Sequence, residues 1–331
     1  MNTLCPVQIR EIAVYHPDNV VGNEYCLEHF KKKGIDLRHF LEDILGRDKR
    51  YVIAKNSDEN TLTMAITASK QVLKQAHITG EDIDMICLGT NSAEYVVPPT
   101  ALLIHHAIGG NEHAVCYDIN VNCLSMSMGF DQLVRYMSTS ESVHRVLLVG
   151  AEYMTYMTDP KDTNAYGTYG DSACAMILEK TDSTSCLMDT SYMVNSVQAA
   201  ACRGPACGFS HLLGATKEEI YYTFSTGDPE LEKVVENIQH MLEKHGLTKE
   251  DIAMFCFSQF AFANIEYMRE SLQLTEAQTM YVGDRYGYTG SNSPFVVLYE
   301  AVKANKVKRG DYVFIWTIGA AAQHIFMLLR Y

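Results

Sequence analysis

Glu81-Asp-Ile-Asp-Met-Ile-Cys-Leu88 and Glu250-Asp-Ile-Ala-Met-Phe-Cys-Phe257 are near-copies of one another, 169 residues apart. Each follows a stretch with helical periodicity, Leu62 to Ala76 in one case and Leu231 to His245 in the other. The chain then passes through Ile78-Thr79 or Leu247-Thr248, turns whose residues suit helix capping. The echo continues downstream, where Arg145-Val-Leu-Leu-Val-Gly150 has its counterpart in Tyr312-Val-Phe-Ile-Trp-Thr-Ile-Gly319. A repeat of nearly half-length is a duplicated α/β unit, since solenoid repeats run only ~20–50 residues. The apolar runs are unbroken, as in sheets covered on both faces. Sites in such sheets form at the C-terminal ends of strands. The loops to inspect are therefore Asn91 to Tyr95, the stretch around Cys123, Ser258 to Asn264, Tyr288 to Gly290, and Gly319 to Ala322.

The chain has 331 residues, 47% of them hydrophobic and 20% charged. A single core stops growing at ~250–300 residues, so two halves are expected, 1–175 and 176–331. No apolar run approaches the ~20 residues of a membrane span. Met1 to Arg10 lacks the charged head and apolar body of a signal peptide, and the expected setting is cytoplasmic. A net charge of −13 repels phosphate backbones, which argues against nucleic acid as a partner. The ten cysteines contain no C-x-x-C pair, and no cluster of His or Cys near Cys202 and Cys207 completes four metal ligands. Most read as small buried hydrophobes in a reducing compartment.

Cys123 stands apart. Tyr117-Asp-Ile-Asn-Val-Asn-Cys-Leu-Ser-Met-Ser-Met-Gly-Phe130 runs from a short strand into a helix rich in small residues. A thiol at that junction feels the positive end of the helix dipole, which predicts a lowered pKa and a thiolate. Nearby N–H groups suit an oxyanion hole. The bland alternative is one more buried cysteine; the strand-to-helix position, and Gly129 six residues on, favour a nucleophile.

This segment resembles the nucleophile region of β-ketoacyl-acyl carrier protein synthase III, in the thiolase superfamily, and the resemblance runs along essentially the whole chain. Asn91-Ser92-Ala93 with Pro98 or Pro99, Val149-Gly150-Ala151-Glu152, Asp159-Pro160, Tyr169-Gly170-Asp171-Ser172-Ala173 and Tyr286-Gly287-Tyr288-Thr289 resemble family motifs in the same order. The resemblance implies a five-layered αβαβα fold, an acyl donor that is a carrier-protein phosphopantetheine or CoA thioester, and a dimer. It implies no bound cofactor and no metal.

The departures are specific. Family members use a His in Pro-His-Gln-Ala-Asn and an Asn in Gly-Asn-Thr to stabilise the enolate formed on malonyl decarboxylation. Here Phe260-Ala261-Phe262-Ala263-Asn264 and Gly287-Tyr288-Thr289 stand in their places. One oxyanion donor is worth ~2.7–4 kcal/mol, so losing both should nearly abolish decarboxylation. Phe40 and Thr163 stand near the positions of the Trp and one Arg that clamp the CoA nucleotide. Candidates to replace the lost groups are His211, His324, Gln259, Asn264 and Tyr288, whose phenol can donate a hydrogen bond. Gly319-Ala-Ala-Ala322 matches a Gly-rich turn, which places Ala320 and Gly319 with the Cys123 N–H as the oxyanion hole.

The resulting expectation is an acyltransferase that forms an acyl-Cys123 thioester and passes the acyl group on in fatty-acid, polyketide or specialised-metabolite synthesis. One alternative is a non-catalytic or half-catalytic partner subunit of a ketosynthase heteromer. Another is an ordinary synthase III with a displaced His211 or His324.

Overall fold

A computed structural model describes residues 6–182, 186–224, 227–320 and 322–331. In the first half the order is β1 (Val7–Tyr15), β2 (Val20–Gly22), α1 (Asn23–Lys31), β3 (Lys49–Tyr51), α2 (Thr61–Ala76), β4 (Met85–Gly89), α3 (Thr100–Ile108), β5 (Val115–Ile119), α4 (Ser125–Thr139), β6 (Arg145–Glu152) and β7 (Ser172–Lys180). The second half carries β8 (Cys186–Val194), α5 (Lys217–Ile220), α6 (Leu231–Lys244), β9 (Ile252–Phe257), α7 (Phe262–Ser271), α8 (Gly283–Tyr286), α9 (Ser293–Lys303), β10 (Tyr312–Gly319) and β11 (Gln323–Arg330).

The duplication is visible in the pairing. One sheet has the order β1-β7-β6-β4-β5 and the other β8-β11-β10-β9. Strand β4 lies parallel to β6, as β9 does to β10, and β7 and β11 then return antiparallel. Even the connecting turns match. Asp82 accepts from the N–H and hydroxyl of Thr79, at 2.8 and 3.0 Å, and Asp251 does the same for Thr248 at 2.7 and 2.9 Å. The first sheet retains the chain to Lys180 and the second begins at Cys186, so the change of sheet falls a few residues beyond 175.

Burial builds five layers. Met64, Ala68 and Val72 of α2 and Ile104 of α3 cover one face of the first sheet. Met126, Phe130 and Val134 of α4 meet Phe295, Val296 and Leu298 of α9 between the two sheets. Val234 and Ile238 of α6 and Ile265 and Met268 of α7 cover the far face of the second sheet. Buried Asp131 on α4 fastens the halves, accepting from Thr190 (2.7 Å) and Tyr192 (2.6 Å) of β8. No helix among the described residues is long and apolar enough to cross a membrane.

Candidate active site

The turn before α4 is built to present Cys123. Asn122 sits at φ 53°, in the left-handed region that a non-glycine residue enters only at a cost. Ser125 secures it: its hydroxyl accepts from the Val121 N–H at 2.8 Å and donates to the Asn122 carbonyl at 2.7 Å. The turn joining β10 to β11 comes against the same spot. A Cβ on Gly319 would stand 2.3 Å from Leu124 Cδ1 and 3.6 Å from the Cys123 nitrogen, so any larger residue there would have to displace the Leu124 side chain.

Cys123, Gly319 and Ala320 all line one cavity of about 550 Å³. The five strand-end loops singled out in the sequence meet there, contributing Asn91, Cys123, Ala261 with Asn264, Tyr288, and Gly319 with Ala320 and Ala322.

The thiol departs from expectation. Helix α4 begins at Ser125, so Cys123 lies two residues ahead of it. Desolvation pushes the thiol up to about 12, and Glu152 and Cys202 push the same way; a hydrogen bond with Tyr288 draws it partly back. The helix terminus supplies only about half a charge, too little to offset the burial. The half-buried thiol is therefore held neutral, not as the thiolate predicted from its position.

Tyr288 is 2% exposed and fixed through its backbone, its N–H donating to Thr168 O and its carbonyl accepting from Gly170 N, both at 3.0 Å. Phe260 and Tyr169 flank its ring at centroid distances of 5.3 and 5.9 Å. Burial and the Cys123 sulfur hold its phenol well above the usual value, while the Ser258 hydroxyl acts in the opposite direction. Ala261 caps α7 and is buried beside Leu41 and Leu45. Half-buried Asn264, in the first turn of α7, reaches the cavity wall.

Three other candidates lie elsewhere. His211 is exposed on a surface turn outside the cavity lining. His324 is fully buried within β11, stacked between Trp316 and Phe326, and accepts from the Trp316 indole at 3.2 Å. Burial drives it down to about 4. The Gln259 side chain is consumed internally: its amide donates to Phe257 O at 2.8 Å and its carbonyl accepts from Val282 N at 2.7 Å. Among the described residues, no histidine lines the cavity.

Two features escaped the sequence reading. Residues 195–224 and 227–230 add Val197, Cys202, Arg203, Tyr222, Phe224 and Glu230 to the cavity wall; this part of the chain has no periodicity to reveal it. Glu152 ends β6 fully buried, accepting from Ser291 (2.7 Å), Ser92 (3.1 Å) and the Asn91 N–H (3.2 Å). Burial still lifts its carboxyl to about 7. The Val-Gly-Ala-Glu motif had marked the residue without indicating this.

Comparison with known proteins places the chain in one family. The 3-oxoacyl-[acyl-carrier-protein] synthase III model matches residues 117–196, and the model of that family's C-terminal part matches residues 242–331. Beta-ketoacyl-[acyl-carrier-protein] synthase III of Coxiella burnetii is 27% identical over 320 residues, covering 95% of each chain. The Aquifex aeolicus protein of the same name is 26% identical over 320 residues, covering 96% of this chain and 97% of its own. Among solved structures, the Aquifex aeolicus synthase III superposes with a TM-score of 0.83 at 23% identity, covering 98% of this chain and 100% of that one. The priming β-ketosynthase of the R1128 polyketide pathway gives 0.87 at 19%, covering 99% and 98%. With the two family models spanning just over half of the chain, and the doubled fold carrying Cys123 at the mouth of α4, the chain belongs to the 3-oxoacyl-[acyl-carrier-protein] synthase III family of acyltransferases.

Proposed function

We propose that this chain takes an acyl group from a carrier-protein or CoA thioester onto Cys123 and passes it to an acceptor without decarboxylative condensation. The observation that carries this reading is the pairing of a retained thiol with Ala261 and Tyr288, where the cavity would need imidazole and carboxamide donors to stabilise an enolate. Loading is a thiol exchange. The Cys123 sulfur adds to the thioester carbonyl, its proton leaves, the carbon–sulfur bond to the donor breaks, and the departing sulfur takes up a proton. The Cys123 and Ala320 N–H groups, brought together by Gly319, are the donors for the tetrahedral oxyanion. Tyr288 donates to the sulfur. The relatives' names support a carrier-protein thioester as donor.

A second reading, a half-catalytic subunit paired with a competent ketosynthase, draws on one observation: a thiol held at about 12 is a reluctant nucleophile. Intact-mass spectrometry after exposure to acyl-CoAs and acyl-carrier proteins decides between them. One acyl mass on wild type, absent from Cys123→Ala, supports the enzyme. An unmodified protein across the panel, or an adduct on Cys202 or Cys207, overturns it.

A further inference from the structure

Arg47 is a cation 3% exposed, and its guanidinium makes no ion pair among the described residues. All five of its N–H bonds have acceptors, none of them a carboxylate. Nε donates to Thr168 O (3.1 Å), Nη1 to Leu45 O (3.0 Å) and to the Tyr281 hydroxyl, and Nη2 to Gln259 O (3.1 Å) and Phe260 O (2.7 Å). Carbonyl groups satisfy the geometry of a guanidinium but leave its charge standing, and an isolated buried charge costs several kcal/mol.

Besides Tyr281, whose hydroxyl it touches, the described groups that bear most on the charge of Arg47 are Arg50, Tyr288, Asp284 and Tyr169. Arg50 repels it. Asp284, the one carboxylate of the four, lies beside Arg285 at 4.0 Å. The other two are phenols of the cavity wall. Burial and Arg50 bring Arg47 down to about 9, so it stays charged at neutral pH.

The acceptors are as telling as the charge. Thr168 O also receives the Tyr288 N–H, and Leu45 O also receives Phe262 N at 3.3 Å. Gln259 and Phe260 lead directly into Ala261. One guanidinium thus ties together the segments that surround the thiol.

We propose that Arg47 is a positioning residue of the acyl-transfer site: it holds the Tyr288 and Phe260–Ala261 segments together, and its unneutralised charge makes the Tyr288 phenol a stronger hydrogen-bond donor to negative charge developing at Cys123. The phenol and thiol are also faced by Tyr169, Cys202 and Glu152, which disfavour negative charge there, and by Ser258. Arg47 is the fixed cation set against them. This inference rests on Cys123 being the reacting residue, so its test follows alkylation, which needs no acyl donor and stands apart from the outcome of acyl loading.

The experiment is carboxamidomethylation of Cys123 by iodoacetamide between pH 7 and 10, followed by peptide mass, for wild type, Arg47→Met, Tyr288→Phe and the double variant, with circular dichroism as the folding check. Arg47→Met should slow alkylation at fixed pH about tenfold, the equivalent of one pKa unit, and should change little when Tyr288 is already Phe. A folded Arg47→Met protein with the wild-type profile, or an equal loss in the Tyr288→Phe background, overturns the proposal. Should Arg47→Met not fold, the local potential is read with Arg47 in place, in Arg203→Gln protein so that the cavity-lining cation does not contribute. Despite the net charge of −13, the iodoacetate-to-iodoacetamide rate ratio at Cys123 should exceed that of glutathione; a ratio at or below it overturns the proposal.

Discussion

The Tyr288 hydroxyl and the Cys123 sulfur share a hydrogen bond that draws the thiol down and pushes the phenol up. Tyr288 thus acts directly on the proposed nucleophile. A hydrogen bond to a charged group is worth about 1.5–3 kcal/mol, ample to decide how often a buried thiol ionises.

Tyr288→Phe should therefore slow iodoacetamide alkylation of Cys123 roughly tenfold at pH 8, with the fold intact because the phenyl ring still packs between Phe260 and Tyr169. Alkylation as fast as wild type would show that the phenol does not support the thiolate.

Glu152 gives a pH-dependent stability. Its carboxyl sits at about 7 when folded, above its ordinary 4.5. The folded state holds the proton longer, so this contribution is complete below pH 4.5 and is lost as pH rises through 7. Glu152→Gln, which imitates the protonated group, should gain roughly 2–3 kcal/mol relative to wild type on going from pH 5 to pH 8. Urea denaturation at both values is the measurement, and an equal difference at the two pH values refutes the linkage.

Malonyl decarboxylation should stay near background while Cys123 still accepts an acyl group. Loading needs the thiol and backbone N–H groups; an enolate needs side-chain donors, and Ala261 has none. Ala261→His with Tyr288→Asn should recover only part of the activity, because Leu41 and Leu45 crowd position 261. Wild-type condensation at ~1–10³ s⁻¹ would rule out a lost decarboxylation site.

Strand β5 ends its sheet, and Val115 on it is 47% exposed; Val96 and Val97 nearby in the chain are 73% and 83% exposed. An apolar surface around a free sheet edge invites a second chain. We expect a dimer, with itself or with a related ketosynthase, burying ~2,000–5,000 Å². Sedimentation equilibrium at micromolar concentration tests this, and a stable monomer is the contrary result.

The sequence by itself determined the doubled architecture and the strand-end loops that meet at the cavity. These are written in contiguous residues: apolar runs, the Thr79–Asp82 and Thr248–Asp251 capping pairs, and short motifs. Tertiary structure alone decided that Cys123 is held neutral, that His324 is sealed between Trp316 and Phe326, and that Arg47 lies buried behind Tyr288. Desolvation and Coulomb interactions are sums over neighbours in space. The groups that set the thiol here, Glu152, Cys202 and Tyr288, are far from position 123 in the chain, and no local pattern around Cys123 carries their contribution.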